Sequence, residues 1–302
     1  MKVLSLFDWM SCWLQALKDV WISVDVYYAS EIDKYATQIS EKNHPEIIRL
    51  WDINNRKDWN LWEIDMIIGG SPCQDLSSAW KWVWLSWARS WLFWTMLDII
   101  KHYNPKYFLL ENVASMSKEN KKIITDAIWV EPILINSWLL TAQNRKRLYR
   151  TNIPWITQPE DKQILLKDIL EENIDKSFYM NKEQIMWVWK SKYRDRNPYY
   201  VDWKIGTLKI GWDVKRIFAT QIGSSPKFWN SYGSDKQYTL RASNPNWVFI
   251  GGEIRYITPI EAERLQWLPD WYTEWVSKTQ RYKMIGNWRT VPVIAHIFSF
   301  IK

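Results

Sequence analysis

Over the first 150 residues, short blocks of near-continuous apolar residues alternate with stretches in which apolar positions recur at helical spacing. The blocks are residues 2–7 (KVLSLF), 24–29 (VDVYYA), 64–68 (IDMII) and 107–110 (YFLL), and Leu14, Leu17 and Val20 carry the helical spacing after the first of them. Strands of this kind, separated by helices, predict a parallel sheet covered on both faces, because a strand with one wet face would alternate polar and apolar positions. Ligands of such sheets bind at the carboxyl ends of the strands. Asp8, Glu31, Cys73 and Glu111 all fall at those ends.

The rhythm stops near residue 157. From there to 255, Lys and Arg interleave with aromatics, as in residues 190–196 (KSKYRDR) followed by Tyr199 and Tyr200, and turn residues cluster at 223–226 and 230–235. This predicts a smaller strand-and-loop domain, residues 166–256, inserted into a sheet domain made of residues 1–165 and 257–302. A helix start follows the insert: Thr258 as cap, Pro259 in the first position and Glu261 three residues after the cap. Residues 291–301 are apolar with helix-compatible spacing.

Composition adds limits. Of 302 residues, 47% are hydrophobic and 24% charged, which excludes a disordered or collagen-like chain. No apolar run reaches the ~18 residues of a membrane span, so no membrane partner is expected. The opening MKVLSLFD reads as a strand and not as a signal peptide. Two cysteines, Cys12 and Cys73, are too few for a disulfide framework and point to a reducing, cytoplasmic setting. A net charge of +7 favours an anionic partner.

Gly69-Gly70-Ser71-Pro72-Cys73-Gln74 places a thiol just past a buried strand. A thiolate there is a competent nucleophile if a cation or a helix N-terminus lowers its pKa, whereas a buried structural cysteine is the plainer reading. Glu111, after YFLL, offers a carboxyl group at the neighbouring strand end, or else a helix cap or ion pair. In Gln143-Asn144-Arg145-Lys146-Arg147 two arginines alternate, which in a strand sends both to one face; a solvated charge run is the ordinary alternative.

Taken in order, LSLFDWMSC, SEIDKYA, GGSPCQDLS, LLENV, QNRKRLY, TPIEAERLQ and RYKMIGN closely resemble the successive motifs of the cytosine-C5 DNA methyltransferases of bacteria and phages. The resemblance runs from residue 2 to about 297 and is broken only by the insert. It implies an α/β, Rossmann-like, mostly parallel sheet with an inserted target-recognition domain, S-adenosylmethionine as cofactor, and double-stranded DNA as partner. A cognate restriction nuclease and a monomeric state are further expectations. By the same resemblance Cys73 adds to C6 of a flipped-out cytosine, Glu111 holds the ring at N3, and Arg145 and Arg147 contact the pyrimidine carbonyl and steady the loop. Phe7 packs on the adenine of the cofactor, Glu31 binds the ribose, Asp52 and Ile53 meet the adenine edge and Asn287 closes the pocket. Asp8, Trp9, Met10, Ser11, Ile32 and Pro72 complete it. An RNA cytosine methyltransferase and a catalytically silent nucleic-acid-binding module are the alternatives.

One imbalance cuts across this pattern. The chain holds 25 Trp and 9 Gly, where average usage predicts roughly 21 Gly. Trp9, Trp13, Trp80, Trp82, Trp84, Trp87, Trp91, Trp267, Trp271 and Trp288 stand where the family has glycine, with Trp21, Trp51, Trp129, Trp138, Trp155 and Trp247 as further cases. Indoles do not serve where the backbone needs positive φ. The pattern reads as UGA codons for glycine rendered as tryptophan, and it predicts backbone distortion at Trp9 and around residues 80–91.

Overall fold

The computed structural model describes residues 1–70, 87–181, 218–220, 237–238, 247–250 and 253–302. Its centre is a seven-stranded sheet, for which the strands are β1 (Lys2–Leu6), β2 (Val26–Ser30), β3 (Ile48–Arg49), β4 (Met66–Gly69), β5 (Tyr107–Val113), β6 (Ile133–Asn136) and β8 (Lys146–Thr151). The short β7 (Gln143–Asn144) lies outside this sheet. The order is β3-β2-β1-β4-β5-β8-β6, with β1 to β5 mutually parallel and β8 antiparallel to both of its neighbours. The order reverses between β1 and β4, so the crevice of a doubly wound sheet opens there.

Burial on both faces explains the continuous apolar runs. Val3, Met66, Ile68 and Leu109 join one core, with Leu14 and Leu17 of α1 (Cys12–Asp19) and Ile294, Ile297 and Phe298 of α7 (Val291–Phe298). Leu4, Leu6, Ile67 and Leu110 point the other way, against Phe93, Met96 and Leu97 of α3 (Trp87–Tyr103) and Ile124 of α4 (Lys118–Ile128). Alternate residues of one strand thus feed opposite cores. On the first face, α2 (Lys34–Asn43) begins where the Asp33 carboxylate accepts the N–H groups of Tyr35 and Ala36, at 2.9 and 3.2 Å.

The Thr258 expectation is met in detail. Thr258 caps α5 (Pro259–Leu265), Pro259 opens it, and Glu261 closes a capping box. A third core packs Ala262 and Leu265 of this helix with Leu166, Ile169, Val248 and Ile285, the last from α6 (Lys278–Gly286). Within residues 166–256, β9 (Phe218–Thr220), β11 (Trp247–Ile250) and β12 (Glu253–Tyr256) form a small antiparallel sheet, while β10 (Gln237–Tyr238) pairs with β7 immediately before Arg145.

Backbone conformation bears out part of the tryptophan expectation. Among the described residues twelve non-glycine residues have positive φ, and seven are tryptophan: Trp9, Trp21, Trp51, Trp129, Trp155, Trp267 and Trp271. Trp13, Trp138 and Trp288 are not among them. Positions 80, 82 and 84 lie outside the described residues, as do the side chains of Trp87 and Trp247.

Candidate active site

The carboxyl edge of the sheet gathers the expected chemistry. Asp8 follows β1, Glu31 follows β2, Gly70 follows β4, and Glu111 sits inside β5. Pro72 and Cys73 come next after Gly70 and lie outside the described residues. Cys12, the other cysteine, is fully buried in the sheet core, and burial pushes its thiol well above the ordinary range, so it stays an unreactive thiol.

Glu111 is 6% exposed and is gripped from two sides. Arg147 Nε lies 2.8 Å from Oε1, because antiparallel β8 sets Arg147 opposite Val113, two residues along β5 from Glu111. Arg289 Nε donates to Oε2 at 3.2 Å, while its Nη2 donates to the Gly70 carbonyl at 3.1 Å. The Arg289 guanidinium lies 4.8 Å from the ring centre of Trp13 and 5.8 Å from that of Trp288. Both indoles are fully buried, and neither indole N–H has an acceptor. Gly70 is required by this packing, since a Cβ there would stand 2.2 Å from Arg289 Nη2 and 3.0 Å from Glu111 Oε2. A carboxylate and the base of the segment carrying Cys73 are therefore in direct contact, joined by one guanidinium.

Arg145 is brought beside this cluster but does not pair with Glu111. Its two Nη atoms donate to the Gly286 carbonyl at 3.3 Å, and its buried Nε has no partner. Burial, helped by the neighbouring Arg147 cation, pulls it down to about 9, so it remains a cation at neutral pH. Arg289 was not visible to sequence reasoning: it is a single cation beside the apolar segment at 291–301.

The turn after β1 is built around Asp8. Its buried carboxylate accepts from Tyr27 at 2.7 Å and from the Ser11 hydroxyl, with Arg49 Nη1 at 3.8 Å. Met10 is fully buried, and its carbonyl accepts from the Tyr272 hydroxyl at 2.8 Å. Phe7, Trp9 and Ser11 all have positive φ. Glu31 Oε1 accepts from the N–H groups of Ile32 and Asp33, both at 2.8 Å, and Oε2 accepts from the Trp9 N–H at 2.9 Å. Burial raises the Glu31 carboxyl above its ordinary value against those three donors. Asp52 caps the 3-10 turn Ile53–Asp58 through Asn54 N–H, Ile53 is buried, and Ile32 is exposed. Asn287 ends α6.

Asp8, Glu31, Gly70 and Glu111 share the carboxyl edge of the sheet. The turn itself does not suit an adenosyl ligand. The Trp9 indole crosses from the turn to α6, where its Nε1 donates to the Met284 carbonyl at 2.9 Å, and so it fills the space between the turn and that helix.

Comparison with known proteins agrees with this geometry. A family model described as C-5 cytosine-specific DNA methylase matches residues 1–302. Among curated relatives, the type II methyltransferase M.NlaX of Neisseria lactamica is 25% identical over 317 residues, covering 100% of this chain and 96% of that protein. The orphan methyltransferase M.SPRI of Bacillus phage SPR is 27% identical over 232 residues, covering 61% of this chain. The chain spans about half the length of M.SPRI, 53%, and 46% of the orphan methyltransferase M.Rho11sI of Bacillus phage rho11s. Among solved structures, a DNA modification methyltransferase encoded within an E. coli prophage superposes with a TM-score of 0.68 at 20% identity, over 100% of this chain and 98% of that one. The S. pombe Dnmt2 methyltransferase gives 0.69 at 18% identity, over 99% and 97%. These two show the fold, a mostly parallel seven-stranded α/β sheet.

Proposed function

Since this chain belongs to the C-5 cytosine-specific DNA methylase family, we propose that it transfers a methyl group from S-adenosylmethionine to C5 of a cytosine in double-stranded DNA, with Cys73 as nucleophile. The observation that carries this is the joint held by Arg289, which ties Glu111 to Gly70, three residues before Cys73.

C5 of an aromatic cytosine is a poor nucleophile. Addition of the Cys73 thiolate to C6 would move the ring electrons toward N3, which takes up a proton from solvent, and the Glu111 carboxylate would hold the ring by accepting that N3–H. The resulting enamine would have a nucleophilic C5, and the cofactor, when bound, would supply the methyl group from its sulfonium and leave as the neutral thioether. Loss of the C5 proton then expels the thiolate and restores the ring. Glu111 is suited to the task because Arg147 and Arg289 fix both of its oxygens, so the group is oriented before the base arrives. Arg147, lying against Glu111, would present its cation to the pyrimidine carbonyl, whereas Arg145 is held on the Gly286 carbonyl beside it. Because C6 is stacked within a duplex, the base is flipped out at a cost of a few kcal/mol. Residues 1–165 and 257–302 would form the catalytic domain, and the basic, aromatic-rich residues 166–256 would grip phosphates and read bases.

The test is Cys73→Ala, assayed for labelled methyl transfer to duplex DNA and, in parallel, to tRNA. Transfer should vanish while duplex binding persists. Turnover near that of the unaltered protein removes Cys73 from the mechanism, and transfer to tRNA alone replaces DNA with RNA as substrate.

A further inference from the structure

The seven tryptophans at positive φ have values between 55 and 68°. In that region the Cβ of an L-residue crowds the following carbonyl, so a bulky side chain is an outlier and glycine is the usual occupant. Their hydrogen bonds identify the positions more closely. The Trp21 N–H donates to Lys18 O and the Ile22 N–H to Leu17 O, both at 3.0 Å, at the end of α1. The Trp267 N–H donates to Arg264 O and the Leu268 N–H to Glu263 O, again at 3.0 Å, at the end of α5. Each is the paired 5→2 and 6→1 pattern whose left-handed residue is usually glycine. Trp129 ends α4 in the single-bond version, its N–H donating to Thr125 O at 2.7 Å. Trp271 is the third residue of a turn closed by the Tyr272 N–H on Pro269 O at 3.2 Å, and Trp155 follows Pro154 in a turn.

The indoles gain little burial at these sites. Trp21, Trp129 and Trp155 are 92, 91 and 83% exposed, and Trp51, Trp267 and Trp271 are about half exposed. Packing therefore does not select tryptophan at these six, while Trp9 is partly buried against the sheet core. Seven of the twelve non-glycine residues at positive φ are one residue type, and an excess of one type where the backbone asks for one other type points to a codon with two readings. UGA differs from the glycine codon GGA at a single base and is the codon whose reading varies between tryptophan and other meanings. Glycine at the seven positions would also move the glycine count from 9 toward the roughly 21 that average usage predicts.

We propose that the functional protein carries glycine at positions 9, 21, 51, 129, 155, 267 and 271, each encoded by UGA, and that glycine at position 9 clears the indole from between the turn after β1 and α6, admitting the methyl donor. The first half rests on backbone geometry alone, and the second rests on the methyltransferase reading above. Trp94 is the internal control. It lies inside α3, packed edge-on against Phe93 with ring centres 5.3 Å apart, and it should be a UGG-encoded tryptophan.

Two measurements test this. The coding DNA, with peptide mass spectrometry of the protein purified from its own cells, should show TGA and glycine at the seven positions and TGG and tryptophan at 94. TGG codons, or tryptophan in those peptides, overturn the proposal. In the second, the chain as written is compared with one carrying glycine at all seven. The glycine chain should melt higher by on the order of 10 °C and bind S-adenosylmethionine, while the chain as written binds it at least ten-fold more weakly. Equal or lower melting for the glycine chain refutes the backbone argument. Higher melting without S-adenosylmethionine binding upholds the glycines and overturns the methyl-donor reading. Equal binding by both chains overturns the role given to position 9.

Discussion

Glu111 has two arginine partners, and they are not equivalent. Arg147 comes from the neighbouring strand, in a run whose alternation was legible as a strand presenting cations. Arg289 reaches across 178 residues of sequence and also bonds the Gly70 carbonyl. Arg289→Met should cost about 1–3 kcal/mol in urea unfolding, less than a fully broken buried pair because Arg147 still holds the carboxylate. Methyl transfer should fall more than stability implies, mainly in kcat, with Arg289→Lys recovering part of it. A loss that appears only in stability would make Arg289 a packing residue. Sequence reasoning found Glu111 and Arg147 because strand-end placement and period-2 spacing are local signals. It missed Arg289 because nothing local marks a cation that folds back onto a distant strand. It also could not see Arg145 turning to the Gly286 carbonyl, which depends on where α6 ends.

At the scale of elements, α5 (Pro259–Leu265) is the best-specified piece. Its capping box is also an ion pair: Arg255 of β12 forks onto Glu261, Nη2 to Oε1 at 2.7 Å and Nη1 to Oε2 at 2.8 Å, with both side chains buried. Thr258→Ala should cost about 1 kcal/mol, the usual worth of a cap. Glu261→Gln should cost about 3–5 kcal/mol, because it leaves Arg255 buried without a counter-charge. Midpoints of urea unfolding read both, and equal losses would mean that the ion pair contributes nothing beyond the cap. The cap and the four parallel core strands were legible because Thr-Pro-x-Glu and continuous apolar runs have local physical causes. The reversed direction of β8 was not, since alternation along a strand carries no information about which way its neighbour runs.

Across the molecule, the turn after β1 is anchored by a relay that begins at the surface. Lys18 Nζ donates to His44 Nδ1 at 3.1 Å, His44 Nε2 donates to the Tyr272 hydroxyl at 3.0 Å, and Tyr272 donates to the Met10 carbonyl. This order requires a neutral imidazole with its proton on Nε2. Burial, reinforced by the Lys18 cation, depresses His44 from 6.5 to about 4. The unfolded chain therefore binds the extra proton first as acid is added. The stability linked to His44 is present in full above pH 6.5 and is lost between there and about pH 4, by up to about 3 kcal/mol. His44→Gln should flatten that stretch of a melting-temperature profile, and an unchanged slope would assign the acid sensitivity to other groups. The contact between Arg289 and Glu111 has a temporal consequence as well. A chain emerging from the ribosome can lay down β1 to β5 long before residue 289 has left the exit tunnel. The carboxylate stays half-clamped until residue 289 has emerged, so a nascent chain would carry these strands before Glu111 has both of its cations.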